Sequence, residues 1–238
     1  MNGAPFLSAE SRDLLIVNYE VAPDRLRPFV PAGTALDLFE GKALVSLVGF
    51  RFLHTRVRGV PVPGHTDFEE MNLRFYVTRT LPTGELRRGV VFLGEIVPRR
   101  AIAWVARTVY GEPYRALAMR HAITRDRVRY ECRAEGRWHT LEASLGPEPR
   151  PATDEPGTAF ITEHYWGYTR RSATRTDEYE VRHPVWMIRS ATLGAGDFDI
   201  GAIYGPEHAD LLPSRPHSAC FALGSAVEVL PGSPLKVP

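Results

Sequence analysis

Hydrophobic and polar residues alternate along Phe68–Val77, and this pattern predicts a β-strand with two chemically different faces. One face carries four apolar side chains. The other carries an acid, an amide, a cation and a phenol, which we call the polar row: Glu70, Asn72, Arg74 and Tyr76. Two interpretations are open. Either the row faces solvent, or it lines a cavity in which the carboxylate and the guanidinium orient a small polar ligand.

Short apolar or alternating segments bounded by Gly and Pro predict many further strands. These are 13–21, 36–39, 43–54, 89–97, 128–133, 138–143, 165–171, 178–183, 185–188 and 219–230. Helical spacing predicts a longer helix at 99–110 and short ones at 24–31, 158–164 and 199–204. Many short strands with a few helices predict a mainly antiparallel β (α+β) fold.

Prolines cluster at about residues 146–157, which predicts a long loop. A domain boundary there is disfavoured, because the following segment has too little periodic apolar sequence to close a core by itself. At 238 residues the chain is long enough for one large β domain. We therefore expect a single domain over 1–238.

Acidic and basic residues are interspersed, and the formal net charge is only +1, which argues against a nucleic-acid partner. Nearly all the positive charge is arginine, since the only lysines are Lys42, expected in a solvated turn, and Lys236. Arginine binds carboxylates and phosphates but cannot form a Schiff base. Lysine-dependent covalent chemistry therefore has two candidate positions in the chain.

The sequence predicts no metal and no cofactor. Its eight histidines are scattered, and no dinucleotide, Walker or nucleophile-elbow motif occurs. Cys132 and Cys220 are interpreted as buried core thiols. The N-terminus lacks a charged leader and no apolar run is long enough to span a bilayer, so we expect a cytoplasmic protein without a membrane partner.

Three further charged residues interrupt apolar surroundings. Arg51, within 43–54, needs a partner if its face is buried, and otherwise lies at a strand end open to water. Glu95 is either at a wet edge or buried and paired with Arg51, Arg74 or Arg100. Arg100 falls in the first turn of the 99–110 helix, where a cation is disfavoured; a nearby acid, a bound anion or solvation would account for it.

Four segments together resemble a bacterial family. They are Phe6–Glu10, Val45–Phe50, Phe68–Val77 and His183–Trp186. The chain resembles the YqjF-like family of uncharacterised proteins, most specifically in the Glu-x-Asn-x-Arg-x-Tyr-Val block. That family is similar in turn to the acetoacetate decarboxylase superfamily. The resemblance implies an antiparallel β fold wrapped into a cone or barrel with a central cavity.

The resemblance also bears on chemistry. The decarboxylase forms a Schiff base through a Gly-x-Pro-Lys-Lys run, and the best match here is Gly111-Glu112-Pro113-Tyr114-Arg115. Tyr114 and Arg115 then stand in the places of the two lysines, so iminium formation is not expected there. Glu70 is the residue that matches the acidic group of the decarboxylase.

Two hypotheses follow. In the first, the cavity binds a small anionic, oxo-acid-like molecule. Its ligand-binding candidates are Arg74, Tyr76, Asn72, Arg51, Arg100 and Arg115, and its acid or base candidates are Glu70, Glu95 and Tyr114. In the second, the protein is a non-catalytic binding or regulatory module whose barrel is filled by side chains and whose surface meets a protein partner. A homo-oligomer is compatible with both, and the sequence alone does not establish catalysis.

Overall fold

Strands dominate the computed structural model, which describes residues 4–109 and 111–235. The strands within these ranges are β1 (Leu7–Val21), β2 (Ala35–Leu36), β3 (Leu38–Phe39), β4 (Lys42–Val57), β5 (Val60–Pro61), β6 (Phe68–Thr80), β7 (Leu86–Val97), β8 (Tyr114–Ala116), β9 (Ala118–Ile123), β10 (Arg127–Ala134), β11 (Arg137–Leu145), β12 (Arg150–Pro151), β13 (Trp166–Arg170), β14 (Thr176–Arg182), β15 (Met187–Leu193), β16 (Ser218–Val229) and β17 (Ser233–Pro234). The α-helices are α1 (Pro23–Leu26), α2 (Arg100–Val109), α3 (Pro156–Thr162) and α4 (Ile200–Tyr204). Short 3-10 turns occupy Arg27–Phe29, Ala152–Asp154 and Pro206–His208.

Seven strands are hydrogen-bonded into a closed ring. Their order is β1, β4, β6, β7, β13, β14 and β16, and β16 pairs again with β1. All neighbours in the ring are antiparallel except β7 and β13, which are parallel. Closing a sheet on itself leaves an interior that side chains fill or a ligand occupies.

A second group of strands covers the outside of this ring. Strands β9, β10, β11 and β15 pair in that order, and β15 joins the ring at β16. Gly49 on β4 is the point of closest approach: a Cβ there would lie 2.8 Å from Cδ2 of Tyr130 on β10. The Tyr130 hydroxyl donates a hydrogen bond to the backbone oxygen of Asp13 at 2.8 Å. The covering strands are thus tied to β1 as well as to β4.

Strand β6 is buried on both faces. Its apolar residues, including Met71 and Phe75, pack in the main core cluster against β10 and β11. Its polar row faces the interior of the ring, where Glu70 and Asn72 are each 3% exposed. The interpretation of the row as facing solvent is therefore wrong for these two residues. The alternation predicted the strand correctly, but closure of the ring encloses the polar face that would otherwise meet water.

The structure confirms a mainly antiparallel β fold with a few short helices. Other details differ from expectation. Strands β8 and β9 were not predicted, and the proline-rich segment is not only a loop, because Arg150–Pro151 pairs with β15. Lys42 begins β4 instead of lying in a turn, and its Nζ is 2.8 Å from Glu20. Lys236, and Tyr110 at the end of the predicted helix, lie outside the described residues.

Two further expectations concern the cysteines and membrane-spanning segments. Cys132 and Cys220 are free, buried thiols, as expected for core residues. No helix in the described part of the chain has both the length and the apolar character needed to cross a membrane.

Candidate functional site

A cavity of about 270 Å³ lies inside the ring of strands. Every strand of the ring lines it, together with α2 and α3. Most of the lining is apolar or aromatic, and Val48, Phe50, Phe92, Ile161 and Trp186 are examples. The charged lining residues are few: of those described, the only arginine or lysine is Arg74, and the acids are Glu70, Glu95 and Glu112. Such a lining suits a small ligand with an apolar body and one or two polar groups.

Strand pairing brings the three glutamates together. Glu95 on β7 lies directly across from Asn72 on β6, one position along the polar row from Glu70. Tyr114 on β8 is the parallel-register partner of Glu95, and Glu112 lies two residues before Tyr114, where β8 begins. We call Glu70, Glu95 and Glu112 the carboxyl cluster. Its members come from three different segments, and only the pairing of β6, β7 and β8 makes them neighbours.

The hydrogen bonds in the carboxyl cluster come from neutral groups. The Tyr114 hydroxyl donates to Oε2 of Glu70 at 3.1 Å. The Tyr179 hydroxyl donates to Oε1 of Glu112 at 3.0 Å, and the Thr169 hydroxyl donates to the same oxygen. Glu95 Oε2 and Asn72 Oδ1 are buried, line the same cavity and have no hydrogen-bond partner among the described residues.

Burial determines the protonation of the carboxyl cluster. It raises the pKa of Glu70 and of Glu112 to about 7 because the charged form loses its hydration. Burial also raises the pKa of Glu95 well above its usual range, and the negative charges of Glu112 and Glu70 add to this effect. The cluster therefore holds protons near neutral pH and can gain or lose them with small changes in its surroundings.

Arg74 and Tyr76 form the other end of the polar row, which we call the arginine end. The Cζ of Arg74 is 5.8 Å from the centroid of the Tyr76 ring, so the arginine side chain is directed away from Glu70. Arg74 Nε is buried and has no hydrogen-bond partner among the described residues. A buried donor on a charged group is costly to leave unpaired, and a carboxylate is the acceptor that matches a guanidinium best.

A histidine completes the arginine end. His164 stacks on Tyr76 with ring centroids 4.6 Å apart, and its Nε2 lies 3.2 Å from Oδ2 of Asp37. Burial lowers the pKa of His164 to about 4, so the ring is neutral at pH 7 and Nε2–H donates to Asp37. The net positive charge facing the cavity at this end is therefore that of Arg74.

The structure separates the predicted site residues into two groups. Glu70, Asn72, Arg74, Glu95 and Tyr114 all line the cavity. Glu95 is buried without an arginine partner, so the expectations of a wet edge and of an ion pair are both wrong. The five residues line one cavity because side chains alternate along β6 and because β6, β7 and β8 pair in this register.

The remaining candidates lie outside this lining. Arg51 bonds Asp13, with its Nε 3.0 Å from Oδ2. Arg115 donates to the backbone oxygen of Ile203 at 2.6 Å, and Arg100 is exposed on α2. Tyr76 is buried beside the cavity, where its hydroxyl is hydrogen-bonded to Ser46. Arg51, Arg115 and Tyr76 are thus hydrogen-bonded to other parts of the fold around the cavity.

Sequence reasoning missed three cavity residues: Glu112, Tyr179 and, as a polar group, His164. Glu112 is the variable residue of the Gly-x-Pro run, in which only Tyr114 and Arg115 were considered as site residues. The signal was Gly111, whose φ of +68° turns the chain just before Glu112 enters the cavity wall. His164 was predicted as the last residue of the 158–164 helix, and in the structure it lines the cavity and packs against Phe160.

Two alternatives for the cavity can be tested on its geometry. Among the described residues, no group of three or more His, Cys, Asp or Glu side chains is arranged to hold a metal ion. A ring filled by side chains, as the partner-binding hypothesis assumed, does not match the 270 Å³ cavity. The interior of the ring therefore has room for a small molecule.

Comparisons with known proteins agree with this architecture. A family model for DUF2071, described as an uncharacterized conserved protein, matches residues 8–226. The uncharacterized protein YqjF of Bacillus subtilis (strain 168) is 29% identical over 183 residues, which is 75% of this chain and 73% of that protein.

Solved structures extend the likeness to enzymes. Acetoacetate decarboxylase from Legionella pneumophila superposes with a TM-score of 0.68 at 14% identity, covering 97% of this chain and 87% of that one. The enduracididine biosynthesis enzyme MppR, in complex with pyruvate, superposes with a TM-score of 0.64 at 17% identity, covering 98% and 91%. At these identities the likeness shows the fold, which is that of the acetoacetate decarboxylase-like enzymes.

Proposed function

Because this chain belongs to the DUF2071 family of uncharacterized conserved proteins, whose description names no activity, we propose its function from the site itself. The protein binds a small organic anion of the oxo-acid kind in the central cavity. Arg74 binds the carboxylate of the ligand, the apolar walls contact its body, and no lysine Schiff base takes part. Asn72 and the carboxyl cluster contact the ligand at the other end of the polar row.

One observation carries this proposal: Arg74 Nε is a buried, charged donor without a partner in an otherwise apolar cavity. Other arginines next to buried strands have partners, as Arg51 has Asp13. Arg74 as a whole is partly buried, and leaving its buried Nε unpaired costs about 1–3 kcal/mol, which a bound carboxylate offsets through hydrogen bonds to the guanidinium. The pyruvate complex of MppR supports an oxo acid as the ligand class, since the two proteins share this fold.

The positions of the lysines support a mechanism without an iminium. Lys42 is half exposed at the start of β4 and pairs with Glu20 outside the cavity. Lys236 lies beyond the described residues, and Tyr114 lines the cavity where the resemblance would place a lysine. Groups that exchange protons with a ligand would be Glu70, Glu95 and Tyr114, because they carry O–H groups that face the cavity.

A thermal-shift assay with matched variants tests this function. The ligands are pyruvate, acetoacetate, levulinate and hexanoate, with hexanamide as the uncharged analogue. A ligand at about a hundredfold over its dissociation constant should add about 2.7 kcal/mol to the free energy of unfolding. We expect Arg74→Gln to abolish that stabilisation. Arg100→Gln removes the same charge from an exposed site and should leave it unchanged.

Three results would contradict the proposal. The first is that none of the carboxylates stabilises the protein. The second is that hexanamide stabilises it as much as hexanoate, since the anionic group would then contribute nothing. The third is an equal stabilisation of the wild-type protein and of Arg74→Gln by the same carboxylate.

A further inference from the structure

The two ends of the polar row have different unmet hydrogen-bonding requirements. At the arginine end, the unpaired atoms are a donor, Nε of Arg74, and an acceptor, Nδ1 of His164, whose Nε2–H donates to Asp37. At the carboxyl cluster, the unpaired atoms are Oδ1 of Asn72, which is an acceptor, and Oε2 of Glu95, which is an acceptor when that carboxyl group is ionised. Both residues at that end are more than nine-tenths buried and line the cavity. A ligand that satisfies both ends presents an acceptor to Arg74 and a donor to the glutamates.

We infer that the ligand of this cavity carries a protonated amino group on the end opposite its carboxylate, and that Glu95, Asn72 and Glu70 receive this group. The inference rests on the proposed function for the carboxylate end and names the class of the ligand more narrowly. Such a ligand is a zwitterion with separated charges, and not a simple monocarboxylate.

Charge balance supports an amine over a neutral donor. Three carboxyl groups face one end of the cavity, and the one arginine among the described lining residues, Arg74, lies toward the other end, from which its charge lowers the pKa of Glu70 less than burial raises it. Arg171 lies against Gly111 and is hydrogen-bonded to Asp177, and its charge lowers the pKa of Glu112 less than burial raises it. An ammonium group supplies three donors and one positive charge, whereas an alcohol or an amide leaves the charge of an ionised carboxyl group unmatched.

The distance between the ends indicates a ligand with an extended body. Glu70 and Arg74 are four residues apart on β6, so their α-carbons are about 13 Å apart at 3.3 Å per residue. Arg74 is directed further away, over Tyr76. The two charged side chains take up part of this span, and the apolar walls between polar groups suit a short chain of methylene groups.

A metal ion is a poorer occupant of the carboxyl cluster. Metal ligation needs oxygen atoms within about 2.0–2.6 Å of one point. The described acidic side chains do not form such a group. Hydrogen bonds to an ammonium group span 2.7–2.9 Å from nitrogen to oxygen and allow a wider arrangement of acceptors.

Titration calorimetry on the intact protein tests the inference with three matched series of four, six and eight carbons. The first series is the ω-amino acids, from 4-aminobutanoate to 8-aminooctanoate. The second is the carboxylates of equal length, and the third is the corresponding amines. We expect at least one amino acid to bind ten times more tightly than its matched carboxylate.

Substitutions assign this gain to residues. Glu95→Gln should reduce the affinity ratio of amino acid to carboxylate toward one, and Arg100→Gln should leave the ratio unchanged. Glu70→Gln serves as the second variant should Glu95→Gln fail to fold. Melting curves of each variant without ligand establish that it is folded.

Proton release gives a readout that a purely structural glutamate would not change. An ammonium group favours ionised carboxyl groups, so binding of the amino acid at pH 6.5 should release protons, measured as a dependence of the binding heat on the buffer. Five titratable groups surround the site: Glu70 on β6, Glu95 on β7, Glu112 and Tyr114 around β8, and Tyr179 on β14. A sixth, Tyr204 on α4, lies behind the sheet against Gly94.

The outcomes separate this inference from the proposed function. Carboxylates that bind through Arg74 while amino acids bind no more tightly would overturn the inference and leave the proposed function standing. An unchanged ratio in Glu95→Gln would overturn it as well, as would stabilisation by magnesium, calcium or zinc ions in place of the amine. Failure of every carboxylate and amino acid to bind would overturn both.

Discussion

Arg51 and Arg74 lie on neighbouring strands, and their surroundings are opposite. Arg51 on β4 is hydrogen-bonded to Asp13 on β1, so its charge is balanced within the chain. Arg74 on β6 faces the cavity, and its buried Nε has no partner among the described residues. A charge that the fold balances serves the fold. A buried charge that the fold leaves unbalanced is retained at a cost in stability, which is common at functional sites.

The same contrast holds for the acidic residues. Glu178 lies near the rim of the ring and is 2.6 Å from Arg79 and 3.3 Å from Arg87. The carboxyl cluster receives hydrogen bonds from hydroxyl and amide groups instead, and its pKa values are raised. The molecule thus has a paired region that stabilises the fold and an unpaired region around the cavity. Substitutions in the two regions should have opposite effects on stability.

The largest effect should come from breaking the paired region. Glu178→Ala leaves Arg79 and Arg87 without their shared carboxylate, and all three side chains are at most 21% exposed. We expect the free energy of unfolding to fall by about 4 kcal/mol, measured by urea denaturation at pH 7. Asp24→Ala removes an exposed ion pair and should cause no measurable change. A loss below 1 kcal/mol for Glu178→Ala would mean that this network is not what stabilises the rim.

A substitution in the unpaired region should instead raise the free energy of unfolding. The pKa of Glu70 is raised from 4.5 to about 7, so the folded state binds more protons than the unfolded state between these values, and stability falls as pH rises through this window. Glu70→Gln removes this loss. We expect the variant to gain roughly 3 kcal/mol relative to wild type between pH 5 and pH 8, at about 1.4 kcal/mol per unit of pKa.

The difference between variant and wild type is the quantity to measure, because other groups titrate in the same range. The pKa of His164 is lowered to about 4, so this residue makes stability rise between pH 4 and 6.5. Glu131→Gln is the control of opposite sign, since the hydrogen bond from Arg120 lowers the pKa of Glu131. A pH-independent difference for Glu70→Gln would show that Glu70 is ionised in the folded protein at pH 5.

The alternation of the sequence predicted much of the architecture and half of the site. Strand β6 and its polar row were read from a period of two, because that period is a property of the single strand. Strands β10 and β11 were predicted for the same reason, as were most other long strands. Strands β8 and β9 were missed because Ala118–Ile123 is largely exposed and shows no apolar alternation.

Partners of charged residues were not predictable, because they depend on which strands pair. Arg51 and Arg74 gave the same signal, an arginine within a strand that is otherwise mostly apolar. Asp13, the partner of Arg51, sits at a bulge in β1 with φ of +59°, 38 positions earlier in the chain. Glu112 joined the site only through the parallel pairing of β7 with β8. These contacts are long-range, and no local period encodes them.

We expect the smallest changes in the free energy of unfolding from substitutions of Arg51 and Arg74. Arg51 and Asp13 are 28% and 21% exposed, so water weakens their interaction, and Arg51→Gln should cost about 1 kcal/mol in urea denaturation. A double-mutant cycle with Asp13→Asn isolates the pair, because asparagine tolerates the left-handed backbone of position 13. Arg74→Gln removes a charge that has no counter-charge, so we expect the free energy of unfolding to stay unchanged or to rise. If Arg74→Gln cost more than Arg51→Gln, Arg74 would have to be assigned to the fold, and the cavity would lose the cation on which the proposed ligand binding depends.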